Sequence, residues 1–428
     1  MSKIIIKNAR IINTSGELDR NGDILIQNGL LAEIGDNIQC DSAFVIDATG
    51  MVAAPGLVDM HVHTRDPGFT YKDDIETVSE CAAAGGVTAI AAMPNTKPAA
   101  DNADTIKYII DKANKTKTRI FPVGSVTKNL KGESLVDFAV LKDAGAVAFS
   151  DDGEPVSGAK LMSDAIKLTS WLDMVILAHC EDKSLSDNGI INEGIISEML
   201  GVKGIPCSSE SVGVAREITI AKTLNSRVHI CHVSTSDAVD LIRSAKKSGV
   251  KVTAETCPHY FMLNEEQLAL QDADYRMNPP LRSEHDKRAV IRGIIDGTID
   301  TIATDHAPHT TNEKHDFLNA PNGVVGLETS LAAGITGLVN KGYISLFKLL
   351  YMMSTLPAQI LGIDAGNLET GKPADIVVFD PTEKWVVDPD KLHGKSRNTP
   401  FKGMEMCGKV KLTVCRGELV YNDLEMRG

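Results

Sequence analysis

The 428-residue sequence contains no run of 18 apolar residues, so no segment reads as a membrane span. Its N-terminus, MSKIIIKNARIIN, has no sustained apolar stretch of the kind a secretory signal needs. The eight cysteines are scattered without a CxxC pair, which argues against a disulfide framework and predicts reduced thiols in the cytoplasm. No stretch is markedly basic and the formal charge is −13, so neither nucleic acid nor a membrane surface is an expected partner. A small anionic substrate stays open, because one arginine in a pocket outweighs a diffuse surface field. Internal repeats and low-complexity tracts are absent as well, which removes solenoids and long disordered tails. The sequence describes a globular cytoplasmic enzyme of small molecules.

The two ends of the chain are strand-like. Ile4–Ile6 and Arg10–Ile12 are expected to flank a turn, and 23–27 meets 30–34 across Asn28-Gly29, a two-residue hairpin signal. Segments 45–47, 376–379, 410–415 and 418–421 are also β-like and are separated by Gly, Pro and Asn. Neither end is long enough for an independent sandwich, so one small β-domain built from both termini (residues 1–54 and 366–428) is expected. Between them, residues 55–365 alternate short apolar runs with helical stretches, the pattern of βα units around a parallel sheet. Eight strands can be counted, at 57–60, 87–93, 119–123, 146–149, 174–178, 228–231, 250–254 and 299–303. Eight closes a (β/α)8 barrel of the TIM type. An open doubly wound sheet would show a Gly-rich loop after its first strand, where this chain has His61-Val62-His63.

In such a barrel the chemistry sits where strands end. Strand one ends in Asp59-Met60-His61-Val62-His63, strand four in Ser150-Asp151-Asp152-Gly153 and strand five in His179-Cys180-Glu181. Strand six ends in His232 and strand eight in Asp305-His306, so five of the eight ends carry imidazole or carboxylate. Residues i and i+2 of an extended chain point the same way, so His61 and His63 can meet one metal ion. With His179, His232 and Asp305 at other strand ends, this donor set favours zinc or a similar first-row ion over magnesium or calcium. Asp151 and Asp152 are adjacent, so at most one points into the mouth. Asp59 suits a buried orienting role as well as ligation, and Asp305 can both bind a metal and move a proton. His229 lies three positions before His232 and is expected to face out of the barrel. His306 has at most a supporting role, His285, His315 and His393 read as surface residues, and Cys180 reads as buried structure. His259 follows strand seven and its role stays open.

The segment Pro55-Gly56-Leu57-Val58-Asp59-Met60-His61-Val62-His63 resembles the strand-one entry of the amidohydrolase superfamily. Its continuation, Thr64-Arg65-Asp66-Pro67-Gly68, narrows the resemblance to the cyclic-amide hydrolases. Met93-Pro94-Asn95-Thr96-Lys97-Pro98, Met277-Asn278-Pro279-Pro280-Leu281-Arg282, Ala303-Thr304-Asp305-His306-Ala307-Pro308-His309 and Ala320-Pro321-Asn322-Gly323 resemble dihydroorotase motifs. Gly371-Lys372-Pro373-Ala374-Asp375-Ile376-Val377 and Asn398-Thr399-Pro400-Phe401 are similar to the family's C-terminal β-segments, so the resemblance spans nearly the whole chain in order.

Carried over position by position, the resemblance implies two zinc ions, His61 and His63 on the first and His179 and His232 on the second. Asp305 joins the first, and Asp152, the second residue of the Asp-Asp-Gly pair, bridges the two. Hydantoinases and one dihydroorotase class use a carbamylated lysine at strand four; no lysine stands there, which counts against dihydropyrimidinase and allantoinase. The implied reaction interconverts dihydroorotate and N-carbamoyl-L-aspartate, with Asp305 taking the proton of the attacking water and passing it to the departing amide nitrogen. Arg65, with Asn95 and His309, is implied to grip the substrate carboxylate, and Asn278 with the backbone at Asn322 and Gly323 to bond the pyrimidine ring. The polar 305–325 loop is long for a βα connection and is expected to cover the substrate. The family also implies a homodimer. A non-catalytic, dihydroorotase-like partner of aspartate transcarbamoylase is the competing expectation, although such a chain need not keep every ligand.

Overall fold

The computed structural model describes residues 3–424; the outermost residues of the expected terminal segments, 1–2 and 425–428, lie outside them. Eight parallel strands run Leu57–Val62, Val87–Ala92, Arg119–Gly124, Ala148–Phe149, Leu177–Ala178, Val228–Ile230, Val252–Thr256 and Thr301–Ile302. They hydrogen-bond as two groups of four in chain order. The parallel bridges Phe149–Ile176 and Val62–His306 join the groups and close the ring. Each expected barrel strand has a counterpart, and the fold is a (β/α)8 barrel.

Helices pack outside this ring because their apolar faces and the outer strand faces share one buried cluster, which includes Leu57, Val78, Ile106, Ile166, Val214, Ile242 and Ile294. Short polar caps start them: Asp74 and Thr77 form a reciprocal capping box ahead of Ile75–Ala84, and Ser283 caps Glu284–Asp296. Each such cap contributes about 1 kcal/mol. Inside the ring, Met60, Met93, Val123 and Leu177 fill space beside the small Ala91, Ala148 and Ala303. The polar residues are therefore concentrated at the C-terminal rim.

Strands from both termini form a second, eight-stranded sheet. Its order is Glu418–Asn422, Glu405–Cys415, Ile376–Val386, Val52–Pro55, Lys3–Asn13, Leu18–Gln27 and Leu30–Gly35, with Phe44–Asp47 also on Lys3–Asn13. The expected hairpin is present: Gln27 pairs with Leu30, and Asn28 and Gly29 both take positive φ, as this tight turn requires. One expectation is corrected. Lys3–Asn13 is a single strand, because Asn8, at φ 61°, makes a bulge between Ile6 and Ala9 where a turn was expected. At the centre of this sheet Val52–Pro55 passes through Gly56 directly into the first barrel strand.

Candidate active site

A pocket of about 430 Å3 opens at the C-terminal rim. Ten of the twelve residues singled out from the sequence line it; His61 and His232 lie beneath, almost completely buried. Three of the twelve, Arg65, His232 and Asp305, have φ of 60°, 35° and 48°. Left-handed backbone costs a non-glycine residue roughly 1–3 kcal/mol, and here it turns each side chain off its strand end towards the mouth. This is why His229 overturns the expectation from strand parity. The strand stops at Ile230 and the chain twists at His232, so His229 points inward as well, its Nε2–H donating to Glu255 at 3.2 Å.

The donor atoms converge on Asp152. Its Oδ1 lies 3.3 Å from His61 Nε2 and 3.4 Å from both His179 Nδ1 and His232 Nε2. Its Oδ2 lies 3.3 Å from His63 Nε2. Asp305 Oδ1 lies 3.1 Å from His63 Nε2 and 3.6 Å from His61 Nε2. Tetrahedral ligands about 2.1 Å from an ion stand about 3.4 Å apart, so these spacings match donors arranged around a common cation. His61 Nε2 is buried without a hydrogen-bond partner, the condition of a donor atom kept for a metal. His61, Asp152 and His232 form one ligand-like group and His61, His63 and Asp305 another.

Three of the four imidazoles are oriented by their other nitrogen. His61 Nδ1–H donates to Glu255 at 2.6 Å, His63 Nδ1–H to Asn95 Oδ1 at 2.8 Å and His179 Nε2–H to Glu181 Oε2 at 3.1 Å. Burial opposes charge on Glu255, but His61 and His229 outweigh it and hold the carboxyl below the usual range. Burial likewise opposes charge on Asp152, and His61, His179 and His232 hold it well below normal. The other acids orient backbone. Asp59 accepts from the N–H groups of His61 and Thr304, with burial raising its pKa to about 7. Asp151 accepts from Val126 at 2.7 Å and from Thr127 at 3.1 Å, and so points away from the mouth.

Arg65, Asn95, His309, Asn278, Asn322 and Gly323, the residues expected to meet the substrate, all lie on the pocket wall. Arg65 does not pair with Asp66, which is held by Tyr108 and Lys112; its Nε donates to Pro308 O at 3.1 Å. Burial pulls the Arg65 pKa down to about 10, while Asp305 and Asp152 support its charge. His309 donates from Nε2 to Asn322 O at 2.9 Å and accepts at Nδ1 from Lys72 at 3.1 Å. Burial, with Arg65 and Lys72 nearby, pushes its pKa down to about 2, so the ring is neutral. Asn278 Nδ2 donates to Glu181 Oε2 at 3.1 Å, the same oxygen that accepts from His179. Gly323 has φ 139°, and a Cβ there would stand 2.8 Å from Ala307 O.

His306 packs behind the site and accepts from Gly326 N–H at Nδ1, and Cys180 is buried. His259 is buried beside Tyr260 and does not line the pocket. Sequence reasoning missed Glu255, Lys72 and Lys314, and it named Glu181 at a strand end without giving it a role. Glu255 carried a usable signal, an acid inside the otherwise apolar and Thr-rich strand Val252–Thr256. Lys72 and Lys314 lie in polar loops and carry no such signal.

A closed barrel with imidazoles and carboxylates clustered at its C-terminal rim, at spacings consistent with a metal site, is the arrangement of a hydrolase of the amidohydrolase class. A family model described as Dihydro-orotase-like matches residues 50–238, and one described as Amidohydrolase family matches residues 295–421. A dihydroorotase of Ruminiclostridium cellulolyticum is 47% identical over 97% of both chains, and one of Acetivibrio thermocellus is 46% identical over 98% of this chain and 99% of its own. The chain belongs to the dihydroorotase family and is a cyclic-amide hydrolase. Among solved structures, an L-hydantoinase (dihydropyrimidinase) from Arthrobacter aurescens superposes with a TM-score of 0.89 at 28% identity, covering 99% of this chain and 97% of its own. A dihydropyrimidinase from Brevibacillus agri gives 0.87 at 26% identity over 98% and 95%. Among the described residues, no helix is long and apolar enough to cross a membrane.

Proposed function

We propose that the chain catalyses the reversible cyclisation of N-carbamoyl-L-aspartate to (S)-dihydroorotate plus water in the cytoplasm, on two zinc ions held by His61, His63, Asp152, His179, His232 and Asp305. The observation that carries this reading is the convergence of these six side chains, at ligand spacing, beside the half-buried cation Arg65. When bound, the metal pair acidifies the attacking water and polarises the ring carbonyl. Asp305 accepts the proton of that water and delivers it to the amide nitrogen as the C–N bond breaks; in the cyclising direction it receives the proton lost by the attacking nitrogen. Arg65, with Asn95 and His309, binds the substrate carboxylate, and neutrality of His309 leaves Arg65 as the charge that selects the anion. Asn278 and the backbone at Asn322 and Gly323 bond the pyrimidine ring.

The barrel is assigned to residues 55–365 and the small β-domain to 1–54 and 366–428, with a homodimer as the assembly and aspartate transcarbamoylase as its associated enzyme. Dihydropyrimidinase, favoured by fold likeness alone, is disfavoured by Asp152 in the place of a lysine. Metal analysis of the purified chain, paired with assays on dihydroorotate, allantoin and hydantoins, tests the reading. Two zinc ions per chain and turnover of dihydroorotate alone are expected. Faster turnover of allantoin or a hydantoin sinks the substrate assignment. No metal and no activity in the isolated chain replaces the enzyme with a non-catalytic partner subunit.

A further inference from the structure

Two segments distant in sequence face each other across the ring side of the pocket, one carrying Asn278 and the other Asn322 and Gly323. Between them lies Lys314, which is 8% exposed. Its Nζ donates to three backbone carbonyls: Arg276 O at 3.1 Å, Pro321 O at 3.0 Å and Gly323 O at 3.0 Å. One acceptor belongs to the first segment and the other two bracket Asn322. The Gly323 N–H also donates to Arg276 O at 3.0 Å, so the two walls meet at the point the ammonium occupies. Arg276 in turn holds the loop, its guanidinium donating to Phe317 O and Leu318 O. The segment expected to be a cover is therefore tied down at its centre.

Burying a lysine is costly unless every N–H finds a partner. Among the described residues no carboxylate lies within ion-pair distance of Lys314, and the longer-range pull of Asp274 and Asp272 does not offset burial, which takes its pKa down to about 7, so attraction to an acid does not by itself explain its burial. The number of donors does. An ammonium carries three N–H groups on a compact head and matches three converging carbonyls; a planar guanidinium does not, and an apolar side chain leaves all three unpaired.

The geometry points to Lys314 as a positioning residue that fixes the separation of the Asn278 and Gly323 walls, and with it the fit of the pyrimidine ring. This rests on the reading that those residues face the ring. The test uses metal-loaded full-length protein with dihydroorotate as substrate. Lys314→Met is expected to raise KM at least tenfold while kcat at saturation stays within threefold and metal content is unchanged. Lys314→Arg should fail to restore KM. Exchange of the Gly323 amide, measured by mass spectrometry, should quicken in both. A folded Lys314→Met with parental KM, or with a fall in kcat alone, overturns the proposal. If the Met variant does not fold, Lys314→Gln, which keeps two N–H donors, takes its place, and parental KM and amide exchange in it overturn the proposal equally. Asn278→Ala reports on the ring-facing reading by itself. An unchanged KM there sinks that reading, whereas a raised KM there beside a parental KM in Lys314→Met sinks only the role of Lys314.

Discussion

Glu255→Gln isolates the contribution of a group that the substrate never touches. Glu255 and His61 are both fully buried and 2.6 Å apart, with Glu255 also accepting from His229. Glutamine keeps the volume and an acceptor oxygen for His61 Nδ1–H, so the ring orientation survives. What disappears is the negative charge that makes His61 Nε2 a better electron donor. The new NH2 also faces a donor on His229, which must move its proton to Nδ1 and reverse its bond with Thr253. Loss of a carboxylate behind a metal-bound imidazole typically weakens metal affinity 10–100-fold, about 1.4–2.7 kcal/mol. The assay is competition between the apoprotein and a chromophoric zinc chelator at fixed pH, with circular dichroism confirming the fold. At saturating zinc most of the activity should return, because the reacting groups are unchanged. A folded variant whose zinc affinity lies within twofold of the parent would refute the argument that Glu255 tunes His61.

Asp305→Asn should retain metal by elemental analysis yet lose about 10²–10⁴ in kcat, the usual worth of a positioned general base; near-parental turnover would dismiss the proton-transfer role. Chelation should lower Tm and added zinc should raise it in proportion to log[Zn2+], since the proposed site exists only in the folded arrangement of six side chains; a Tm indifferent to zinc would contradict this. Burial, with Asp272 nearby, raises the Asp274 pKa to about 6, so its proton is held more tightly in the folded state. That contribution to stability is complete below about pH 4 and is lost as pH rises through 6. Asp274→Asn should thus be more stable than the parent at pH 8, by about 1 kcal/mol after discounting for its partial exposure, and indistinguishable below pH 4 in urea titrations.

Periodicity and punctuation exposed the barrel strands because a strand buried on both faces must be apolar and short, and four of the eight runs stop directly at His61, Gly124, His179 or His232. The candidate ligands were visible for a related reason, since polar side chains at apolar strand ends have few structural uses. Parity reasoning worked while the chain stayed extended, as for His61 and His63. It failed for His229, because nothing in the sequence announces that His232 adopts φ 35°. The bulge at Asn8 escaped in the same way, as a single residue's backbone choice. Lys314 was hidden for a different reason. Its three partners are carbonyl oxygens, which every residue has, so no pattern of side-chain types reveals them.

The strand Val52–Pro55 runs through Gly56 into the strand that carries His61, and it pairs both with Lys3–Asn13 and with Ile376–Val386. On the ribosome its first neighbour is available almost at once, but the second emerges only after the whole barrel has been made. Closing so long a loop is entropically slow, and pairings between distant segments form late. The earliest of the proposed metal ligands to be synthesised are thus anchored by one of the last strands. A nascent chain holds His61 and His63 long before Asp305 exists and before their supporting sheet is complete, so the proposed metal site can be completed only late in synthesis.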